Sequence, residues 1–280
     1  MIDYHVHTQL CNHAKGSMKE YVDKAVELGF KEICFLDHLT LNESGKSLSM
    51  GLLELPFYFY SVNALKDAYQ GQIDIKSGLE VDFNIKYISI IEDVLNTYSF
   101  DAIGSSIHFL DDINVVRTGF DKVVKEKNLD IQYLWNKYLD ELLLMLDYDY
   151  FDFICHIDVM KKYGIHPDDE LNHKFDAIIS KIKTKNKAVE INTSGYDHAA
   201  KEIYPSNYIL KKCSEMGICI TIGSDSHKPG QIGRYYERAL NLAYALGYSH
   251  ISGFLKRKRY DIPISNFFNF YQNKNGRVKL

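Results

Sequence analysis

Seven of the eleven histidines lie at or just beyond the ends of short apolar segments. The first two, His5 and His7, form a His-x-His pair near the amino terminus, and the last belongs to Asp225-Ser226-His227. Imidazoles and carboxylates delivered from several strand ends can converge on one pocket and hold metal ions there. The pattern therefore predicts metal-dependent hydrolysis.

Each histidine taken alone has an ordinary explanation, because a single imidazole beside apolar residues is more often a hydrogen-bonded core group or a helix cap. The joint placement favours ligands, since several imidazoles and carboxylates in one cavity are costly to bury without cations. His166, His173 and His250 lack this placement, and we expect surface or capping roles for them. His198 stays open between such a role and the site.

Short segments rich in β-branched and aromatic residues alternate with longer segments of helical periodicity. The predicted strands are 2–5, 32–36, 74–79, 102–107, 153–155, 188–191 and 218–222, and the predicted helices are 18–28, 86–96, 129–146, 173–185, 208–216 and 232–246. Several helices end at a glycine between apolar residues, as in Leu28-Gly29-Phe30, which is typical of a C-cap. This alternation indicates parallel strands joined by right-handed crossovers.

Candidate ligands follow nearly every predicted strand: His5, His7, His38, Glu80, His108, His156, Asp225 and His227. In an open sheet the outer strand ends lie too far apart to share a pocket, whereas a barrel places all of them around one mouth. The sequence therefore predicts an α/β fold, a distorted seven-stranded (β/α) barrel. Residues 39–73 are expected to form a loop and helix partly covering the mouth. The tail after Ile264 shows no separate signature, so one domain is expected over 1–280.

Composition excludes several classes of protein. A formal net charge of −4 and a pI near 6.3 disfavour nucleic-acid and membrane partners, and the basic run 256–259 is expected to be a solvated surface segment. Five cysteines without a Cys-x-x-Cys pair disfavour a disulfide framework and favour a reducing, cytoplasmic location. The start lacks a signal-like segment and no apolar run is long enough to cross a bilayer, so neither secretion nor membrane insertion is expected.

Eight segments with ligand-type residues span nearly the whole chain: DYHVHT at 3–8, His13, LDH at 36–38, GLEVD at 78–82, IGSSIHFL at 103–110, ICHID at 154–158, EINTSG at 190–195 and GSDSH at 223–227. In these segments and their order the chain resembles the polymerase-and-histidinol-phosphatase (PHP) superfamily, and within it the monofunctional histidinol-phosphate phosphatases. A lone His-x-His would be weak evidence, whereas this ordered set is strong.

The resemblance implies a barrel of the PHP type and three divalent metal ions. By this analogy His5, His7, Glu80 and Asp225 hold the first ion, Glu80 with His108 and His156 the second, and His13, His38 and His227 the third. Nine candidate ligands agree with more than one ion, because a catalytic zinc takes roughly three side chains from a protein. Nitrogen and oxygen ligands without thiolate suit zinc, manganese or iron.

The resemblance also implies hydrolysis of the small-molecule ester L-histidinol phosphate to L-histidinol and phosphate in histidine biosynthesis. Metal ions suit this reaction, because it is very slow without a catalyst and accumulates charge on the phosphoryl oxygens. A hydroxide bridging two ions would attack phosphorus. The acid for the leaving group stays open among a metal-bound water, Asp225 and His198. Asp37, Asp158 and Asn192 either orient imidazoles or cap loops.

Family members often carry arginines after the fifth strand and after EINTSG, where they contact the substrate phosphate. This chain has Lys161 and Lys162 in the first place and no arginine in the second. Lysine binds phosphate as a point charge, without the bidentate fork of arginine. The candidate substrate contacts are therefore Lys161, Lys162 and His198, and the alternative for the two lysines is an ordinary solvated position. The alternative functions are a phosphoesterase acting on another small ester or on nucleic-acid ends, and a non-catalytic metal-binding regulator.

Overall fold

A sheet of seven parallel strands forms the centre of the molecule, in a computed structural model that describes residues 1–268. The strands are β1 (Ile2–Val6), β2 (Glu32–Leu39), β3 (Asp74–Asp82), β4 (Ala102–Ser106), β5 (Phe109–Leu110), β6 (Ile113–Asn114), β7 (Phe153–Ile154), β8 (Ala188–Asn192), β9 (Ile220–Gly223), β10 (His250–Leu255) and β11 (Lys258–Pro263). The helices are α1 (Met18–Leu28), α2 (Leu55–Ala68), α3 (Ile88–Thr97), α4 (Phe120–Glu126), α5 (Ile131–Met145), α6 (Asn172–Thr184), α7 (Asn207–Glu215) and α8 (Tyr236–Ala245).

The central sheet closes almost completely into a barrel. Its strand order is β1-β2-β3-β4-β7-β8-β9, with every pairing parallel. The first and last strands then meet, because the Ser226 carbonyl accepts a hydrogen bond from the His7 N–H at 3.0 Å and the Ser226 N–H donates to the His5 carbonyl at 3.1 Å. The predicted seven-stranded (β/α) barrel is confirmed.

The core lies inside the barrel and between the barrel and its helices. Strands β1, β4, β8 and β9 are buried along their whole length, as expected where both faces of a parallel sheet are covered. The interior is tight enough to require glycine at two positions. A Cβ on Gly104 would lie 2.4 Å from Cys155 Sγ, and one on Gly78 would lie 2.8 Å from the Ala102 carbonyl oxygen.

All seven predicted barrel strands and all six predicted helices are present. Helix α1 has the predicted bounds, because Ser17 and Glu20 form a capping box at its start and Gly29 ends it in the left-handed conformation. The excursion over residues 39–73 contains α2, as predicted. None of the helices in residues 1–268 has the length and apolar character that a membrane span requires.

Two hairpins and α4 were not predicted. The run 256–259 forms the turn and the start of the second strand in the hairpin of β10 and β11. Arg257 is half-buried there and pairs with Asp152 at 2.5 Å, so this run is only partly the solvated segment that was expected. Of the tail after Ile264, residues 269–280 lie outside the described part, and the single domain over 1–280 stays a prediction.

Candidate metal centre

The nine predicted ligands lie together at the carboxyl-terminal end of the barrel. Eight of them lie in or shortly after strands β1, β2, β3, β4, β7 and β9, whose ends meet at one mouth because the strands are parallel. The ninth, His13, follows a short 3₁₀ helix, Gln9–Cys11, that comes after β1. The ring centroid of His7 lies 4.1 Å from that of His227 and 4.2 Å from that of His38. The centroids of His108 and His156 are 5.1 Å apart. Residues that are remote in sequence therefore share one cluster.

Glu80 is the centre of this cluster and is fully buried. Its two carboxylate oxygens face different imidazoles: Oε2 lies 2.8 Å from His38, 3.3 Å from His5 and 3.7 Å from His7, whereas Oε1 lies 2.8 Å from His156 and 3.4 Å from His108. A carboxylate with each oxygen turned to its own set of nitrogens has the arrangement needed to bridge two cations.

The donor set fits divalent cations. Within the set, the triads His5–His7–Asp225, His5–Glu80–His156 and His7–His38–His227 each bring three ligand atoms within 4.8 Å of one another. Two buried atoms of the set, His7 Nε2 and Glu80 Oε1, have carboxylate or imidazole neighbours at 3.2 and 2.8 Å but no hydrogen bond of regular geometry. Buried polar atoms are normally hydrogen-bonded, so these two atoms have the environment expected of metal ligands.

The electrostatics of the chain agree with cation binding. Burial opposes ionisation of Glu80 and Asp225, yet the surrounding imidazoles hold the pKa of both carboxyls well below their usual values. Burial and the charge of His38 lower the pKa of His13 to about 4. Cys11 lies near His13, but burial raises the pKa of its thiol to about 12. The cluster thus offers anionic carboxylates and imidazoles rather than a thiolate.

A buried carboxylate that the sequence analysis missed, Glu190, stands behind the imidazoles. Its Oε1 lies 2.6 Å from His5 Nδ1, and its Oε2 accepts hydrogen bonds from the His156 N–H at 2.9 Å and from Asn192 Nδ2 at 3.2 Å. A proton on His5 Nδ1 leaves Nε2 free to coordinate. The signal in the sequence is one charged residue inside the apolar strand 188–192.

The three candidate orienting residues differ in what they contact. Asp37 lies 3.3 Å from His7 Nδ1, and Asn192 donates to Asp225 at 3.4 Å. Asp158 instead pairs with Lys161 at 2.9 Å and accepts from the Ser206 N–H. Asp37 and Asn192 therefore contact predicted ligands, whereas Asp158 connects the segment after β7 with the start of α7.

Two predicted ligands have backbone conformations that side chains other than glycine rarely adopt. His156 has φ of 21° and Asp225 has φ of 52°. Such conformations persist only where the surroundings enforce them, and they concentrate at functional sites. Arg234 enforces the second, because its guanidinium donates to the carbonyls of Ser224 and Asp225, each at 2.9 Å, and pairs with Asp197.

A cavity of about 340 Å³ opens above the cluster. Part of the lining comes from the β5–β6 hairpin and the loop after it, with Asn114, Val116, Arg117 and Thr118, and the rest includes Val159, Lys162, Ser194 and His198. The ring of His198 bonds the Tyr204 hydroxyl at 2.9 Å. Burial, followed by the charge of Lys162, lowers the pKa of His198 to about 4.

The two candidate lysines point in different directions. Lys162 lines the cavity, and its ammonium donates to the Val116 carbonyl at 3.3 Å. The ammonium of Lys161 is buried away from the cavity against Asp158, Glu202 and the Ile203 carbonyl, with distances of 2.8–2.9 Å. Of the three expected substrate contacts, the structure therefore brings Lys162 and His198 to the cluster and leaves Lys161 outside it.

Comparison with known proteins gives concordant matches. The model of the PHP domain family matches residues 3–194. The chain is 30% identical over 237 residues to the probable histidinol-phosphatase of Deinococcus radiodurans, covering 83% of this chain and 88% of that protein. It is 27% identical over 259 residues to the histidinol-phosphatase of Lactococcus lactis, covering 90% and 94%. The crystal structure of histidinol phosphate phosphatase from Lactococcus lactis, complexed with zinc, L-histidinol and phosphate, matches with a TM-score of 0.81 at 26% identity, covering 92% and 98%.

Proposed function

The chain belongs to the PHP family, among its histidinol-phosphatases, and from this premise we propose that it is a metal-dependent phosphomonoesterase converting L-histidinol phosphate and water to L-histidinol and phosphate. The observation that carries the proposal is the cluster of imidazoles and carboxylates around Glu80, whose two buried oxygens face different imidazoles. The zinc, L-histidinol and phosphate in the Lactococcus lactis structure support the same reaction for this chain.

We propose three divalent ions, with zinc as the first to test and manganese or iron as alternatives. The proposed ligand sets are His5, His7, Glu80 and Asp225; Glu80, His108 and His156; and His13, His38 and His227. The opposed orientation of the two Glu80 oxygens supports the bridging role. When bound, the ions would place positive charge opposite the phosphoryl oxygens and lower the pKa of the attacking water.

The remaining cavity residues would bind and orient the ester. Lys162 would neutralise part of the phosphate charge from the cavity wall. His198 is neutral at pH 7, because burial lowers its pKa to about 4. It would therefore hydrogen-bond the substrate rather than donate a proton. Asp225 is anionic, because the surrounding imidazoles hold its pKa well below its usual value. The leaving alcohol would therefore take its proton from water, the remaining candidate acid.

The proposed setting is histidine biosynthesis in the cytoplasm. All five cysteines are unpaired, and four of them are buried. Unpaired thiols are typical of proteins in a reducing compartment. The unpaired cysteines therefore agree with a cytoplasmic location.

The test combines metal analysis with turnover. We expect about three ions per chain after reconstitution, release of phosphate from L-histidinol phosphate, and loss of turnover on the order of 100-fold or more in Glu80→Gln. Glu92→Gln, an exposed glutamate on α3, is the matched control. Near-normal activity of Glu80→Gln would refute the scheme. Bound metal without turnover on any phosphate ester would instead favour the metal-binding regulator.

A further inference from the structure

The cavity above the cluster contains two cations without a carboxylate partner. The guanidinium of Arg117 makes no hydrogen bond and no ion pair within residues 1–268. Lys162, which also lines the cavity, hydrogen-bonds only the Val116 carbonyl among the described residues. Arg234 and Lys161 nearby are both paired with carboxylates. Arg117 and Lys162 are therefore available to a ligand.

The same cavity offers no free carboxylate. Among its described lining residues the one acid is Asp225. Its Oδ1 lies 3.2 Å from His7 Nε2 and 3.4 Å from His227 Nδ1, and its Oδ2 accepts from the Ser194 hydroxyl at 3.2 Å. Asp225 is thus already engaged by imidazoles and a hydroxyl, whereas an anionic group on a substrate would meet two positive charges that have no carboxylate partner.

The two cations lie at different depths. Lys162 is half-buried, next to the neutral His198 and close to the cluster. Arg117 is exposed on the loop after β6, at the rim of the cavity. If the phosphate of an ester lies against the histidine cluster and Lys162, its alcohol portion extends toward the rim. Arg117 then faces the alcohol rather than the phosphate.

We propose that Arg117 is a specificity residue and that the enzyme also hydrolyses phosphate monoesters whose alcohol carries a second anionic group, a carboxylate or a second phosphate. The proposal depends on the phosphomonoesterase activity proposed above. Water adds its oxygen to phosphorus, the ester P–O bond breaks with its electron pair on the alcohol oxygen, and that oxygen takes up a proton. The products are the anionic alcohol and inorganic phosphate, without any change of oxidation state.

The preference follows from the geometry of the guanidinium. An arginine can bind a carboxylate or phosphate through two parallel charge-assisted hydrogen bonds, which a neutral hydroxyl cannot reproduce. A charge-assisted bond of this kind changes kcat/KM by roughly 10- to 100-fold. Because Arg117 is exposed, salt is expected to weaken the effect.

The test compares esters that differ in one group. Zinc-loaded protein is assayed with 3-phosphoglycerate and glycerol 3-phosphate, which differ by a carboxylate in place of a hydroxymethyl group. Fructose 1,6-bisphosphate and fructose 6-phosphate are the arm for a second phosphate. We expect kcat/KM for at least one anionic ester to exceed that of its neutral partner by roughly 10-fold or more. Arg117→Ala should abolish this ratio through a fall in the value for the anionic ester.

Lys122→Ala is the control, because it removes one exposed positive charge from the adjacent helix α4 outside the cavity. It should leave the ratio unchanged. A ratio near one in both pairs, or a ratio that survives in Arg117→Ala, overturns the proposal. An equal loss for L-histidinol phosphate and the anionic esters also overturns it, because Arg117 would then contact the phosphate.

Failure of the underlying phosphatase activity is a separate outcome. If no ester is turned over, calorimetric titration of the zinc-loaded protein with 3-phosphoglycerate and glycerol 3-phosphate shows whether Arg117 binds the additional anionic group. Tighter binding of 3-phosphoglycerate that is lost in Arg117→Ala supports the anion site without the reaction. Equal affinities overturn the proposal.

Discussion

Replacing Glu190 by glutamine removes one buried negative charge from behind two predicted metal ligands while nearly preserving the shape of the side chain. The carboxylate is fully buried and lies 2.6 Å from His5 Nδ1, 2.9 Å from the His156 backbone nitrogen and 3.2 Å from Asn192 Nδ2. With Nδ1 protonated, all three neighbours are donors. A glutamine has one acceptor oxygen and one donor group, so in either orientation at least one donor faces another donor.

The contacts of Glu190 allow two effects of Glu190→Gln to be estimated, one on the free energy of unfolding and one on metal affinity. Leaving one buried donor unsatisfied lowers the free energy of unfolding by about 1–3 kcal/mol. Removing the carboxylate also makes His5 a weaker base and frees its ring to rotate, and changes of this type lower metal affinity about 10- to 100-fold. Turnover measured at limiting zinc should fall with the metal affinity and recover in part when zinc is in excess.

The assay separates the two effects. Zinc affinity is measured by competition with a chromogenic chelator, and the free energy of unfolding by urea titration of the metal-free protein. Glu92→Gln carries the same change on an exposed helix surface and should stay within about 0.5 kcal/mol of the parent. Loss of stability with unchanged zinc affinity would show that Glu190 only supports the fold, and the reasoning on His5 would be refuted.

Further predictions concern the loops and the ions. Lys162→Ala should raise KM for L-histidinol phosphate about 10-fold, as steady-state kinetics would show. Lys161→Ala should leave KM unchanged. It should lower the free energy of unfolding, measured by urea titration, by about 3 kcal/mol, because Asp158 loses a buried partner. Arg234→Lys should lower zinc affinity on the order of 10-fold, because the loop of Asp225 loses its guanidinium contacts, and the chelator assay measures this. Removing metal should lower the melting temperature, since ions at 100 times their dissociation constant stabilise by about 2.7 kcal/mol; calorimetry with and without chelator is the check.

The barrel could be predicted because two independent patterns agree. Apolar segments between glycine-capped helices give the strands, and the ligand-type residues at their ends favour closure over an open sheet. The hairpin of β10 and β11 could not be found in this way. Its turn residues Lys256 and Arg257 have φ of 49° and 67°, where glycine or asparagine is typical. A tertiary ion pair between Arg257 and Asp152 holds the turn, and local sequence does not encode that pair.

The roles of Lys161 and Lys162 show a second limit. They are neighbours in a short 3₁₀ helix, Val159–Tyr163, in which successive side chains point in directions about 120° apart. Sequence places both after β7 but does not tell which faces the cavity. Glu190 was missed because it is a single carboxylate in an apolar strand. Its contacts with His5 and His156 come from the fold and are not visible in the local sequence.

Four buried carboxylates explain why the fold and the proposed site depend on each other. Each lies on one barrel strand and accepts a backbone N–H from the loop after the neighbouring strand: Asp3 from Ser224 at 2.9 Å, Asp37 from Thr8 at 3.2 Å, Asp82 from His108 at 2.7 Å and Glu190 from His156 at 2.9 Å. These loops carry predicted ligands. Strand order therefore fixes the orientation of the imidazoles, and a change in any of these carboxylates acts on barrel closure and ligand geometry together.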